Sequence, residues 1–320
     1  MTALTRRTVA LSCAALPLFG PAARAQRLIP QRPSARVIVD NDFAGDPDGL
    51  AALAHQLLSP KTQVTLVTAS AIDAKMAALD GRAGASAAAG RDIALELMRR
   101  AGLASPPPVA AGSDSFGAGP SPAARAIVAE AMRADPLPLF LTCGGPLTNV
   151  AAALRLAPAI ASRMTLVWIG GGGEPDGGWE YNLATDLPAA RFVVEESKVA
   201  LWQVPQPAYR QMQYSIAEMT ADLRPISPFA EWLYDLFTSP PSFVDLGGTW
   251  PLGDSPLVLL TAVSAESSRY RDRTARRIGA DGRYGAEIPG RTVRVYEEVD
   301  ARLTFADMLA KLRMHARRGS

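Results

Sequence analysis

The stretch Asp40–Leu53 reads DNDFAGDPDGLAAL and carries four carboxylates within nine residues, with no Lys or Arg among them. Val37–Val39, just before it, is a run of three β-branched residues, typical of a strand buried on both faces. From Leu50 to Leu58 apolar residues recur at helical spacing, and Asp48 is placed to cap that helix. The acids therefore lie where a buried strand turns into a helix, and open α/β sheets bind ligands at such turns.

The crowding of these acids has a chemical consequence. Like charges this close raise one another's pKa unless a cation or a bound proton compensates them. Because the stretch contains no basic residue, the sequence predicts a functional site here rather than a solvated loop. The four acids are Asp40, Asp42, Asp46 and Asp48.

The order of apolar runs predicts a sheet of parallel strands. Val64–Thr68 follows the first helix, so strand, helix and strand form a unit with a right-handed crossover. Further strands are predicted after intervening helical segments, at Leu137–Thr142, Met164–Ile169, Val199–Val204 and Thr292–Tyr296. The sequence thus predicts a single α/β domain over residues 26–320, with an open, mostly parallel sheet flanked by helices.

Three other regions complete this prediction. Pro106–Pro122 is too rich in Gly, Pro and Ser to be regular, so it is predicted as a loop. Pro205–Pro251 has a weak pattern and is interpreted as helix with lid-like loop. Leu257–Val263 is apolar enough for a buried helix, and Phe305–His315 is predicted to form a C-terminal helix.

The first 25 residues resemble an export signal. Arg6 and Arg7 precede an apolar stretch, and Ala23–Ala25 is a small-residue cleavage site. The pattern around the two arginines indicates twin-arginine export, with an ordinary Sec signal as the alternative. We therefore expect the mature protein to be periplasmic or secreted, without a membrane anchor.

Charge and cysteine content exclude several classes of function. Residues 1–25 contain three arginines and no acid, so the mature chain has 30 basic against 31 acidic residues. No basic cluster with interleaved aromatics is present, so nucleic-acid binding is not expected. Cys13 lies in the signal, which leaves Cys143 as a buried strand-end thiol without a disulfide partner. His55 is expected at the surface or boundary of the first helix.

Four segments in order resemble the inosine/uridine-preferring nucleoside hydrolase superfamily, which cleaves the N-glycosidic bond of ribonucleosides with a bound calcium ion. The opening acids resemble a longer variant of the motif DxDxGxDD, and GPLTN is intact at Gly145–Asn149. Gly170–Gly173 with Glu180-Tyr181-Asn182 and Asp186 resembles the next motif, and Gly253–Pro256 resembles the late one. The matched motifs span about two-thirds of the chain. The resemblance implies a small nucleoside or ribosyl substrate, and a homo-oligomer as an alternative to a monomer.

By this resemblance, an acidic crevice would hold calcium. Calcium prefers six to eight oxygen ligands, which carboxylates, backbone carbonyls and sugar hydroxyls provide. The implied ligands are Asp42, Asp46, Asp48, the carbonyl of Gly144, and Asp254. Asp42 would also act as the general base that removes a proton from the attacking water.

The resemblance also implies a sugar-binding group. Glu180 and Asn182 would orient the ribose hydroxyls, and Asp40 would stand behind them as the acceptor that fixes the loop or Asp42. Trp179, Tyr181 and Trp250 are candidates for the contact with the leaving group.

The chain departs from the family pattern at two glycines. Gly49 stands where the motif has a second carboxylate, and Gly253 where relatives have a His near the leaving base. Asp46 is a candidate replacement ligand, and Gly49→Asp is expected to tighten calcium binding. These departures keep a second hypothesis open, a ribosyl-binding pseudoenzyme that does not cleave its ligand.

A haloacid-dehalogenase-like phosphohydrolase is a remote alternative. Acids after a first strand suit it, but that chemistry also needs a Lys on a strand-end loop. The four lysines of the mature chain do not lie on such a loop.

Overall fold

The computed structural model describes residues 29–117, 119–240 and 246–319. The predicted export signal and Cys13 lie outside these residues. A compact unit begins at Arg32 and contains the rest of the described chain. Within the described residues, no helix combines the length and the apolar character needed to cross a membrane.

Strands account for the central layer of the fold. Their bounds are β1 Ala35–Asn41, β2 Thr62–Ala69, β3 Val109–Ala111, β4 Leu139–Cys143, β5 Met164–Ile169, β6 Ala200–Val204, β7 Gln213–Ser215, β8 Thr249–Pro251, β9 Arg269–Ile278 and β10 Tyr284–Glu298. The main sheet has eight strands in the order β3-β2-β1-β4-β5-β6-β10-β9. All neighbours in it are parallel except β10 and β9, and β7 pairs with β8 in a separate antiparallel sheet.

Helices connect the strands and cover the sheet. Their bounds are α1 Asp48–Leu57, α2 Ala74–Leu79, α3 Ser86–Arg100, α4 Pro122–Met132, α5 Thr148–Leu156, α6 Tyr181–Thr185, α7 Leu187–Arg191, α8 Gln206–Tyr209, α9 Ile216–Glu218, α10 Pro228–Asp235, α11 Ser255–Val258 and α12 Ala301–Gly319. Single 3₁₀ turns cover Pro158–Ser162 and Arg224–Ile226, and π-helical turns cover Phe192–Glu196, Met219–Leu223 and Leu259–Val263.

Both faces of the sheet are buried because successive side chains of β1 point to opposite sides. Val37 and Val39 pack with α1, α3, α10 and α12 in one apolar cluster. Ile38 packs with α4, α5 and α7 in the other. This explains why the first strand is a continuous β-branched run, and it leaves the carboxyl ends of the strands as the place for polar groups.

The predicted fold class is confirmed, and so are the buried helix after Leu257 and the C-terminal helix. Four strands were not predicted. β7 and β8 form an antiparallel pair within Pro205–Pro251, which was interpreted as helix with lid-like loop. β3 has three residues inside the Pro-rich loop, and β9 reads RYRDRTARRI, an exposed edge strand without apolar alternation. The predicted cap at Asp48 is wrong, because α1 starts at Asp48 itself and has no side-chain cap.

Candidate active site

The loops that follow β1, β4 and β5 meet at the carboxyl edge of the sheet, and the start of α11 closes the opposite wall. The side-chain Nδ2 of Asn41 donates a hydrogen bond to Asp254 Oδ2 at 2.8 Å. The backbone N–H of Asp254 donates one to Asp48 Oδ2 at 3.1 Å. From the β5 loop, Asn182 Nδ2 donates to the Gly144 carbonyl at 3.1 Å. The segments that sequence analysis assigned to one crevice are therefore brought together.

Asp40 is the anchoring acid of this crevice. It has no solvent exposure, and its carboxylate accepts hydrogen bonds from Thr68 Oγ1 at 2.5 Å and Asn149 Nδ2 at 2.8 Å. The Cys143 thiol also donates to it, at 3.5 Å. Burial raises the pKa of Asp40 to about 6, although these hydrogen bonds oppose the rise. Asp40 thus ties β1 to β2, β4 and α5.

Asp42, two residues later, has the opposite environment. It is buried, but no other residue of the described chain hydrogen-bonds to its carboxylate. Burial and then the charge of Asp254 hold the pKa of Asp42 well above its ordinary value. A general base works best when its pKa lies near the working pH, so this environment suits the role predicted for Asp42.

Asp48 and Asp254 form the facing acids. Burial raises the pKa of Asp254 to about 7, against the hydrogen bond from Asn41. Burial and then the charge of Asp254 raise the pKa of Asp48 well above its ordinary value. Asp46 differs from both, because it lies exposed at the rim, where its Oδ1 accepts from the Asp48 amide and from Trp250 Nε1, each at 3.2 Å.

Glu180 is buried and fully hydrogen-bonded. Its two carboxylate oxygens accept from the amides of Gly171, Asn182 and Leu183 and from the Tyr209 hydroxyl, at 2.8 to 3.2 Å. A carboxylate has about four acceptor positions, so all of them are used. Glu180 thus holds the β5 loop and α6, and the predicted contact between Glu180 and ribose would require a sugar hydroxyl to displace one of these donors.

Asn182 retains one free group. Its Nδ2 donates to the carbonyls of Gly144 and Ile169, at 3.1 and 2.9 Å. The side-chain oxygen has no hydrogen-bond partner in the part of the chain that the structure describes, so it can accept from a sugar hydroxyl. Gly144, the predicted carbonyl ligand, keeps one lone pair beside its bond to Asn182.

The three aromatic candidates occupy different places. Trp179 is 66% exposed, and the Trp250 indole is committed to Asp46. The Tyr181 hydroxyl accepts from the Asp73 amide at 3.1 Å, so its own proton remains available. Burial and then the charge of Asp42 raise the pKa of Tyr181, so it stays protonated. Of the three, Tyr181 is the one placed to donate a hydrogen bond beside Asp42.

Two residues of the crevice, Tyr209 and Asn41, were not predicted from the sequence. A Cβ atom on Gly253 would lie 3.1 Å from the Tyr209 ring, so Tyr209 covers the position where relatives have a His. A cavity of about 330 Å³ adjoins it, lined by Asp46, Asp48, Tyr209, Arg210, Gln213, Pro251 and Gly253. No sequence signal marked Tyr209, because it lies 44 residues from Gly253 in a region of weak pattern.

The donor chemistry of this crevice fits a hard cation. Apart from burial, the neighbouring charges that raise the pKa values of Asp42, Asp48 and Asp254 belong to carboxylates. Within residues 29–117, 119–240 and 246–319, however, no three acids, histidines or cysteines are arranged as a metal centre. A calcium ion, which needs six to eight oxygens, would have to recruit carbonyl, substrate or water oxygens as well.

The family of the chain follows from its sequence as a whole. The family model described as inosine-uridine preferring nucleoside hydrolase matches residues 37–305. The chain belongs to this family. Membership supports hydrolysis of small ribonucleosides in general, and it removes the phosphohydrolase alternative. No curated protein matches the chain in a separate sequence comparison.

Solved structures agree with the family at the level of the fold. An inosine-uridine preferring nucleoside hydrolase from Bacillus anthracis superposes with a TM-score of 0.64 at 19% identity, covering 87% of this chain and 99% of that one. A purine-preferring ribonucleoside hydrolase from Gardnerella vaginalis gives 0.70 at 18% identity, covering 88% and 99%. An inosine-guanosine nucleoside hydrolase gives 0.67 at 19%, covering 89% and 99%.

Proposed function

We propose that this nucleoside hydrolase family member cleaves the N-glycosidic bond of a ribonucleoside or a related ribosyl compound, with Asp42 as general base. The observation that carries the proposal is the Asp42 carboxylate, which is buried among other acids yet hydrogen-bonded by no other described residue. An acid held in this way has free lone pairs and a raised pKa, which are the two properties that a base for water needs.

In the proposed reaction Asp42 takes a proton from a water molecule as the water oxygen bonds to the anomeric carbon. The carbon–nitrogen bond breaks through a transition state that resembles an oxocarbenium ion, and its electron pair leaves with the nucleobase. The departing nucleobase takes up a proton from solvent, and Asp42 releases the proton that it took from water. The Tyr181 hydroxyl, fixed by the Asp73 amide, donates a hydrogen bond to the departing group. Asn182 accepts from a sugar hydroxyl and fixes the ring, while Glu180 holds the loop that carries both residues.

Calcium is the cation that the family and the donor set favour. Asp42, Asp48, Asp254 and the Gly144 carbonyl would hold it, with Asp46 as a further acid at the rim. When bound, calcium supplies Lewis-acid polarisation of water and a fixed point for sugar hydroxyls. It would also compensate the three crowded carboxylates, whose pKa values are raised by burial and by neighbouring carboxylates.

The alternative function is binding without cleavage. It is favoured by one observation, that Gly253 provides no side chain beside the leaving group and Tyr209 covers this position instead. A protein with this crevice would still hold a ribosyl ligand through Asn182 and the acids.

A nucleoside panel distinguishes the two functions. Inosine, uridine, adenosine, guanosine and cytidine are incubated with the purified protein and calcium, and free ribose and free base are measured by chromatography. Hydrolysis predicts equal amounts of ribose and base that grow with time and enzyme concentration. If calorimetry shows ribose binding but none of the five nucleosides releases ribose or base, the protein binds without cleavage and the proposed hydrolysis is wrong.

We also propose that the chain is exported to the periplasm by the twin-arginine route. The support is the sequence of residues 1–25, with Arg6 and Arg7 before the apolar stretch. Replacing both arginines by Lys in a fusion of this segment to a reporter that folds in the cytoplasm is expected to abolish export. Export that survives the double change would assign the segment to the Sec route instead.

A further inference from the structure

We propose that Asn41 takes the place of the second carboxylate that the opening motif lacks. Its amide fills the space a side chain at residue 49 would need, and it holds Asp254 in position, so that the cation site has a neutral amide where a fourth acid would stand. Asn41 is thus a positioning residue, and the part that concerns the cation rests on the proposed function.

The first observation is the space above Gly49. A Cβ atom built on Gly49 would lie 2.7 Å from Asn41 Oδ1 and 2.8 Å from both Cγ and Nδ2. Real Cβ atoms essentially never show contacts below 3.0 Å, so any side chain at residue 49 would have to displace Asn41. Asn41 is only 2% exposed and has little room to move.

The second observation is a matching glycine on the other side. A Cβ atom on Gly144 would lie 2.3 Å from Asn41 Nδ2 and 2.6 Å from Asp254 Oδ1. Gly49 and Gly144 therefore enclose the Asn41 amide from two directions. The Asn41 amide can pack in this place only because Gly49 has no side chain.

The third observation is the hydrogen bond from Asn41 Nδ2 to Asp254 Oδ2, at 2.8 Å and buried. A carboxylate at this place would face Asp254 with like charge, whereas the amide donates a proton to it. The exchange removes one negative charge from the crevice and gives Asp254 a fixed orientation before a cation arrives. Asn41 Oδ1 has no hydrogen-bond partner among the described residues and packs against Gly49.

This arrangement reverses the expectation for Gly49→Asp. The family pattern alone predicts tighter calcium binding for that change, but the space for the new side chain is already occupied. With Asn41 in place, Gly49→Asp is expected to destabilise the fold and to displace Asp254.

A thermal-unfolding cycle tests the packing. Gly49→Ala is expected to lower the Tm by about 5 °C or more, because overpacking in a filled core forces neighbours to move. In the Asn41→Ala background the same change should cost less than half as much. Gly248→Ala is the matched control, since a Cβ atom there meets nothing within 4 Å. If the changes in Tm caused by Asn41→Ala and Gly49→Ala are additive, the two side chains do not compete for the same space and the packing part of the proposal is wrong.

Calorimetric titration with calcium tests the positioning, without reference to turnover. Asn41→Ala is expected to weaken calcium binding about tenfold or more, as loss of a group that orients a ligand does. Asn41→Asp keeps the size of the side chain but replaces the donor to Asp254 with a like charge, so it is also expected to weaken calcium binding. Equal behaviour of the wild-type protein, Asn41→Ala and Asn41→Asp would overturn the role of Asn41 at the cation site.

These outcomes separate the inference from the proposed function. If the nucleoside panel shows no turnover but the cycle is non-additive and the calcium affinities differ as stated, Asn41 has its role in a binding protein. If turnover occurs while the calcium affinities are equal, the function stands and the inference about Asn41 fails.

Discussion

The two ends of helix α1 contact acidic side chains in opposite surroundings. At its start, Asp48 faces Asp254, and only carboxylate charges act on them. At its end, buried His55 contacts Asp307 of α12 at 2.7 Å, and Lys311 contacts the same carboxylate at 2.5 Å. Negative charge is concentrated at one end, whereas the carboxylate at the other end is paired with Lys311 and His55.

The pKa values show what this difference means. Burial alone would raise the pKa of Asp307, but hydrogen bonds from His55 and Lys311 bring it below its ordinary value, so the charged form is stabilised. Burial and like charge raise the pKa values of the acids at the start of α1. Neutralised acids hold α1 to α12, whereas uncompensated acids oppose folding and are available for a cation, a proton or a substrate.

Asp42→Asn should have the largest consequence for activity. Loss of a general base lowers turnover by about 10²–10⁴-fold. The Tm should be unchanged or higher, because one of the mutually repelling charges is removed. Initial rates of ribose release together with thermal unfolding check both parts. A rate within threefold of wild type would show that Asp42 is not the base.

Asp40→Asn is the matched control two residues earlier in the same strand end. The new NH₂ group would face existing donors, either Thr68 and Asn149 on one side or Cys143 on the other. At least one buried polar group would then lack a hydrogen-bond partner. We expect a loss of about 1–3 kcal/mol in the free energy of unfolding, measured with denaturant. If stability were unchanged, the anchoring role of Asp40 would be wrong.

Asp307→Asn should act on stability alone. It removes a charge that pairs with His55 and Lys311, in a partly exposed cluster, and we expect a loss of about 1–2 kcal/mol. Turnover should stay within twofold of wild type, because the described contacts of Asp307 lie at the other end of α1. A large fall in kcat with full stability would contradict the division between the two ends.

Asp254 gives the smallest effect, a dependence of stability on pH in the metal-free protein. Its folded pKa of about 7 lies above its ordinary 3.8, so the protonated form is favoured in the fold. The stabilisation is complete below about pH 4 and is lost as the pH rises through 7. The Tm of Asp254→Asn relative to wild type should therefore increase from pH 4 to pH 8 in chelator. If the difference in Tm between Asp254→Asn and wild type does not change with pH, Asp254 does not have a raised pKa in the folded protein.

The sequence was sufficient for the fold because strand and helix patterns are local. The β-branched run at Val37–Val39 and the helical spacing after Leu50 predicted β1 and α1, and GPLTN predicted the turn after β4. Edge strands such as β9 escaped because exposure removes the apolar alternation on which strand prediction depends.

The environment of the acids could not be read from the sequence. Asp40 and Asp42 look alike in the chain, yet three other residues donate hydrogen bonds to Asp40 and no other described residue donates one to the Asp42 carboxylate. His55 was expected at the surface or boundary of the first helix, and it is buried because α12 covers it from more than 250 positions away in sequence. The Asn41 amide above Gly49 is likewise a contact with a neighbouring turn, which spacing alone does not reveal.

The most direct measurement is the initial rate of ribose release by the wild-type protein and Asp42→Asn, purified side by side and assayed with calcium at neutral pH. The account predicts steady release by the wild-type protein from at least one nucleoside and about 1% of that rate or less by the variant. No release from any nucleoside by the wild-type protein, or equal rates for the two proteins, would contradict it.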